Sequence, residues 1–160
     1  MHDPETTALF RRLIQQEIAC AEALCRVLSD EQTALAASDP NALEQITAAK
    51  RELLGEMEQR VATHEGFLSA RRLPAGKQGT ELFVAGLPHQ APERGLWQRL
   101  RELAGQCRAQ NEVNGSLLCL SRVRTQRVLE LLHGPREGLR TYGRSGVTRS
   151  GSESQLIGRG

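Results

Sequence analysis

Four histidines and four cysteines are the side chains of this 160-residue chain with the most chemistry to offer, as metal ligands, bases or nucleophiles. His2, His64, His89 and His133 stand far apart, with none of the one-turn pairing that lets a helix hold zinc between two imidazoles. Cys20, Cys25, Cys107 and Cys119 contain no Cys-x-x-Cys pair. They sit inside helical patterns, where a thiol behaves as a small buried hydrophobe, so free thiols in a reducing compartment are expected. Gly76-Lys77-Gln78-Gly79-Thr80 puts a lysine among glycines, yet in the wrong order for a phosphate-cradling loop. Gly143-Arg144-Ser145-Gly146 lacks nucleophile-elbow spacing, and a glycine-rich tail has no means of holding a base or oxyanion donors in place. The expectation is no catalytic residue, no metal and no cofactor: the chain is not an enzyme.

What remains is the chemistry of recognition, and that depends on helices. Hydrophobic residues make up 39%, charged residues 25% and aromatics only 3%, which suits aliphatic seams rather than a sandwich or barrel. Ala, Leu, Glu, Gln and Arg, which lose little rotamer freedom in a helix, dominate residues 1–133. No apolar run approaches the roughly 20 residues that cross a bilayer. The N-terminus also lacks a basic stretch followed by an apolar one, so no membrane insertion and a cytoplasmic location are expected. Residues 1–133 carry 16 basic and 17 acidic side chains, residues 134–160 five and two. That modest basic tail favours an acidic protein surface and is too weak for a nucleic-acid partner.

Three long helices are expected. Asp3-Pro4-Glu5 opens the first, about 4–37, with a side-chain cap, a preset φ and an acid at the positive dipole end. Its apolar positions Phe10, Leu13, Ile14, Ile18, Ala21, Leu24, Cys25, Leu28 and Leu35 recur every three or four residues. Ser38-Asp39-Pro40 repeats the start signal, and the proline ends the helix before it, so a second antiparallel helix, about 40–72, follows. Residues 73–91, rich in proline and glycine, read as a long connection with Phe83 docking, either mobile or covering the bundle end. The third helix, about 93–133, alternates steps of four and three through Leu96, Leu100, Leu103, Cys107, Gln110, Asn114, Leu118, Ser121, Thr125, Val128 and Leu132. His133-Gly134-Pro135 stops it. The fold class is therefore all-α, an antiparallel bundle with coiled-coil-like packing over 1–133. A flexible, disordered tail follows over 134–160, with seven glycines that cannot repay chain entropy.

Two features of the third helix point to binding. Asn111 and Asn114 lie on or beside the seam where leucines belong, and a buried amide must find partners. They serve either as register control or as direct contacts to a partner. Gly115 beside them forgoes about 1 kcal/mol relative to alanine, which close packing of another backbone would offset. A second apolar stripe, Val113, Leu117, Leu120 and Leu131, lies about a quarter-turn from the seam, whereas the earlier positions Gly95, Arg99, Glu102 and Gln106 are polar. Either the other helices fill that stripe or a partner helix docks on it.

Trp97-Gln98-Arg99-Leu100-Arg101-Glu102-Leu103, Cys107, Asn111-Glu112-Val113-Asn114-Gly115, Leu129 to Leu132 and Thr141-Tyr142-Gly143 together resemble the FlgN family of flagellar export chaperones. The first hairpin, with its Asp-Pro turn and Ala49-Lys50-Arg51-Glu52-Leu53-Leu54, is similar as well, so the likeness covers nearly the whole chain. The 73–91 connection and the arginine-rich end depart from it. The resemblance implies a cytoplasmic chaperone of type III flagellar export that binds the C-terminal helical segments of the two hook-filament junction proteins, keeps them unassembled and delivers them to the export gate platform. On that basis Asn111, Val113, Asn114, Leu117, Leu118, Leu120, Val128, Leu131 and Leu132 are expected to line or support the binding surface, with Leu118 and Leu132 alternatively internal core. Tyr142, flanked by Arg140 and Arg144, is either the export-gate contact or part of an uninvolved linker. The competing reading is a coiled-coil structural or adaptor protein that only self-associates; self-association through the same surface is open in both.

Overall fold

The computed structural model describes residues 3–133, apart from the side chains of Glu130, Leu132 and His133. They form four helices, α1 (Pro4–Ala37), α2 (Pro40–Ser69), α3 (Gly76–Ala85) and α4 (Pro92–His133), with no strand among the described residues. The bundle belongs to a compact unit, Met1–Arg124, and a second unit begins at Thr125, within α4. The tail expected over 134–160, Tyr142 included, lies outside the described residues.

Local chemistry starts each long helix where the sequence places it. Asp3 accepts from the backbone N–H of Thr6 at 2.8 Å and from its hydroxyl at 2.6 Å, and these bonds hold the Asp3 carboxyl below its ordinary range. Ser38 takes left-handed geometry (φ 55°), after which Asp39 accepts from the N–H groups of Asn41 and Ala42 at 3.1 and 3.0 Å. So short a turn makes α1 and α2 antiparallel neighbours. Helix α2 stops at Ser69, slightly before the expected 72. There the Arg71 guanidinium lies 3.7 Å over the Phe67 ring and donates to the Phe67 carbonyl at 2.8 Å, which satisfies a terminal acceptor.

The 73–91 connection is corrected by the structure: it is no plain loop, because its centre is the 10-residue helix α3. Pro74 and Pro88 bracket this helix instead of interrupting it, and Thr80, Phe83 and Val84 turn to one buried side at helical spacing. Gly79 is required here, since a Cβ on it would collide with the Pro74 carbonyl. Phe83 docks as expected, fully buried, with its ring centroid 4.5 Å from that of Phe10 and 5.1 Å from that of Phe67. Ile14, Leu68, Leu87, Leu100 and Leu103 complete a core in which all four helices meet.

Several polar side chains enclosed in this core, Glu17, His64, Thr80 and Glu93, are paired. His64 Nδ1 and Glu17 Oε1 are hydrogen-bonded at 2.9 Å, and His64 Nε2 lies 3.3 Å from the Thr80 hydroxyl, which itself donates to the Gly76 carbonyl at 3.0 Å. One chain of bonds thus ties α1 to α2 and α2 to α3. Glu93, buried near the start of α4, accepts from Arg11 Nε at 2.7 Å and Nη2 at 2.6 Å. Helix α4 is fixed at its beginning by charge as well as by leucines.

Candidate protein-binding face

From Glu93 onward α4 runs parallel to α1, and their contacts set its register. Cys107 Sγ lies 3.6 Å from the Ala21 carbonyl and 2.8 Å from Cys25 Sγ, so small thiols let the two helices approach closely. Further along, the Asn114 amide donates to the Leu28 carbonyl and to Glu31 Oε2, each at 2.8 Å. Lys50 of α2 reaches the same Glu31 carboxylate at 2.9 Å and donates to Asn111 Oδ1 at 3.0 Å. A single polar cluster therefore locks α1, α2 and α4 together. Asn114 is enclosed within it, while Asn111 stays exposed and takes part through its carbonyl.

Burial of the thiols has a measurable consequence. Desolvation, followed by the hydrogen bond with Cys25, pushes the Cys107 thiol up from 9.0 to about 12, and desolvation also raises Cys20. At about pH 8 an alkylating reagent should label exposed Cys119 well before Cys107 or Cys20, as intact-mass spectrometry would show. Between 9.0 and about 12 the folded chain keeps a Cys107 proton that the unfolded chain has released. Deprotonation then favours unfolding, so the urea midpoint should fall as pH rises through that window, and a Cys107→Ser variant should lose this part of the slope.

Beyond Asn114 the helix presents its second stripe to solvent. Val113 is 46% exposed, Leu120 57% and, in the second unit, Leu131 86%, while Leu117 is half-buried. Leu118 and Val128 are exposed as well, and the side chain of Leu132 lies outside the described residues. Sequence reasoning missed Val123 and Leu129 as exposed apolar groups, although counting at 100° per residue from Val113 would have placed both off the seam. Earlier in α4 the equivalent positions serve the bundle, as where Arg99 pairs with Glu22 at 3.3 Å. The register adds a second difference, that α1 ends partway along α4. Arg11 faces Glu93 and Leu28 faces Asn114, offsets of 82 and 86 residues, so Ala37, the last residue of α1, falls opposite positions 119 to 123 of α4.

Close packing, the reason expected for Gly115, is absent: a Cβ there would meet nothing within 4 Å, and nothing in the structure explains this glycine. Among the described residues no group of three or more His, Cys, Asp or Glu is placed to hold a metal ion. No helix among them is long and apolar enough to cross a membrane. A cavity of about 230 Å³ between α1 and α2 is lined by Gln16, Glu56, Gln59, Arg60 and Thr63, side chains that include no nucleophile with a base beside it.

A helical bundle whose last helix keeps leucines and valines in solvent has the kind of surface on which another amphipathic helix can pack. The family model described as FlgN protein matches residues 1–150. The chain belongs to the FlgN family, which makes it a flagellar export chaperone, a binder of flagellar export substrates. Searches of curated proteins and of solved structures returned no match.

Proposed function

We propose that this chaperone works in the cytoplasm, binds the C-terminal helical segments of the hook-filament junction proteins on the distal half of α4, and keeps them unassembled until export. The observation that carries the proposal is the exposure of Val113, next to the buried Asn114, and of Leu120 two turns further along the same face. Apolar side chains held in water at helical spacing are what a partner's amphipathic helix covers, and each one buried on binding contributes about 1.5–3 kcal/mol at most. Asn111 and Asn114 support the face by fixing α4 in register, and Leu118 extends it; Val128, Leu131 and Leu132, which belong to the second unit, are proposed as binding residues in their own right. Because the bound segment leaves the chaperone at export, binding is reversible, and a single helix face is small enough for that.

Co-expression with those C-terminal segments tests the reading. A stoichiometric complex that disappears in the Leu117→Glu, Leu120→Glu double variant is the expected result. A chain that instead forms only homo-oligomers, with no segment bound, would be the self-associating adaptor. Delivery to the export gate platform is assigned to Tyr142, with Arg140 and Arg144 attracting acidic groups. A Tyr142→Ala variant should bind cargo normally yet lower secretion of the junction proteins by about tenfold, the loss of a contact worth about 1.4 kcal/mol; unchanged secretion would remove the assignment.

A further inference from the structure

The charges interleaved with the docking face have no use within the bundle. Between Glu112 and Glu130 the helix carries Arg122, Arg124 and Arg127 and no acidic residue. All three arginines are exposed, and none forms an ion pair among the described residues. Elsewhere the bundle does pair its arginines across helices, Arg11 with Glu93, Arg99 with Glu22 and Arg101 with Glu81. Spacing makes the distal set pointed. Arg124 follows Val113, Leu117 and Leu120 at steps of four, three and four, so it continues the exposed apolar stripe. A partner helix lying on Val113 and Leu120 would therefore run its next turn against a guanidinium.

We infer that this face selects an acidic amphipathic helix, one whose apolar stripe is flanked by Asp or Glu on the side that meets Arg124. The inference rests on the docking face proposed above and adds the charge of its occupant. Leucines supply burial and tolerate many apolar sequences, whereas unpaired arginines reward carboxylates and repel lysines, so discrimination comes from the charges. Guanidinium forks also match carboxylates in a way that an ammonium does not. Three arginines are too few for tight binding to a nucleic-acid backbone, which leaves a protein segment as the occupant.

Two synthetic helical peptides with one shared apolar stripe, flanked either by Glu or by Lys, test this against the full chain by fluorescence anisotropy. At about 0.1 M salt, where the screening length is about 10 Å, the Glu peptide should bind at least about tenfold more tightly; at about 1 M, where it is about 3 Å, the advantage should shrink to within about twofold. An Arg124→Gln variant, which keeps helix propensity, should lose the preference and still bind the Glu peptide in a manner abolished by Leu117→Glu, Leu120→Glu. Equal binding of the two peptides, or a preference that survives the Arg124 substitution, overturns the inference and leaves the docking face standing. Binding of neither peptide overturns both.

Discussion

Introducing glutamate at Leu117 and Leu120 together should weaken binding of a junction-protein segment by at least about 100-fold, with the bundle still folded. Each substitution removes a side chain whose burial contributes about 1.5–3 kcal/mol, and each brings a carboxylate into an apolar contact where it must be desolvated. Leu120 is 57% exposed in the free chain, so its replacement removes little native packing. A glutamate there would also stand one turn before Arg124, a spacing that supports the helix. Far-ultraviolet circular dichroism should therefore match the parent while isothermal calorimetry loses its binding signal. The parent's binding should show a negative heat-capacity change, the mark of apolar burial. Leu54 and Val61 of α2, 44% and 41% exposed, provide the comparison: glutamates there should change the affinity by less than about twofold, because exposure alone does not make a docking face.

The second large effect concerns the fold. Phe83→Ala should destabilise the bundle by about 3–5 kcal/mol, because a fully buried ring between Phe10 and Phe67 leaves a cavity that helices on three sides cannot all collapse into. Against a total of about 5–15 kcal/mol, that is a drop in Tm of about 10–20 °C, to be read by thermal denaturation. Leu82→Ala, next in sequence but 52% exposed, should change stability by less than about 1 kcal/mol. If the two variants melted alike, α3 would not be held by its buried face.

What could be read from sequence was whatever one helix decides for itself. The caps at Asp3 and Asp39, the Ser38 turn and the leucine spacing of α1, α2 and α4 depend on neighbours a few residues away, and the structure has them in place. Helix α3 escaped because its prolines and glycines read as punctuation, although Thr80, Phe83, Val84 and Leu87 already carried the helical interval. Pairings across the bundle were out of reach. Nothing local to His64, which reads as one more position on an apolar face, announces Glu17 forty-seven residues earlier. Asn114 could be marked as a polar intruder in a seam, but not matched to the Leu28 carbonyl and Glu31. Gly115 misled for the opposite reason, since a rule about close packing was applied where nothing packs. The exposed stripe was legible as a pattern, and only the register of α4 against α1 shows where α1 ends beside it.

Hydrogen exchange of α4, followed by mass spectrometry with and without a bound junction-protein segment, probes the chaperone's docking face where it is proposed to lie. Amides of residues 113 to 124 should exchange readily in the free chain and become strongly protected in the complex, with residues 96 to 107, packed against α1 in both states, little changed. Protection confined to the α1–α2 hairpin, with 113 to 124 exchanging as before, would mean that cargo binds elsewhere and that the exposed leucines of α4 serve another purpose.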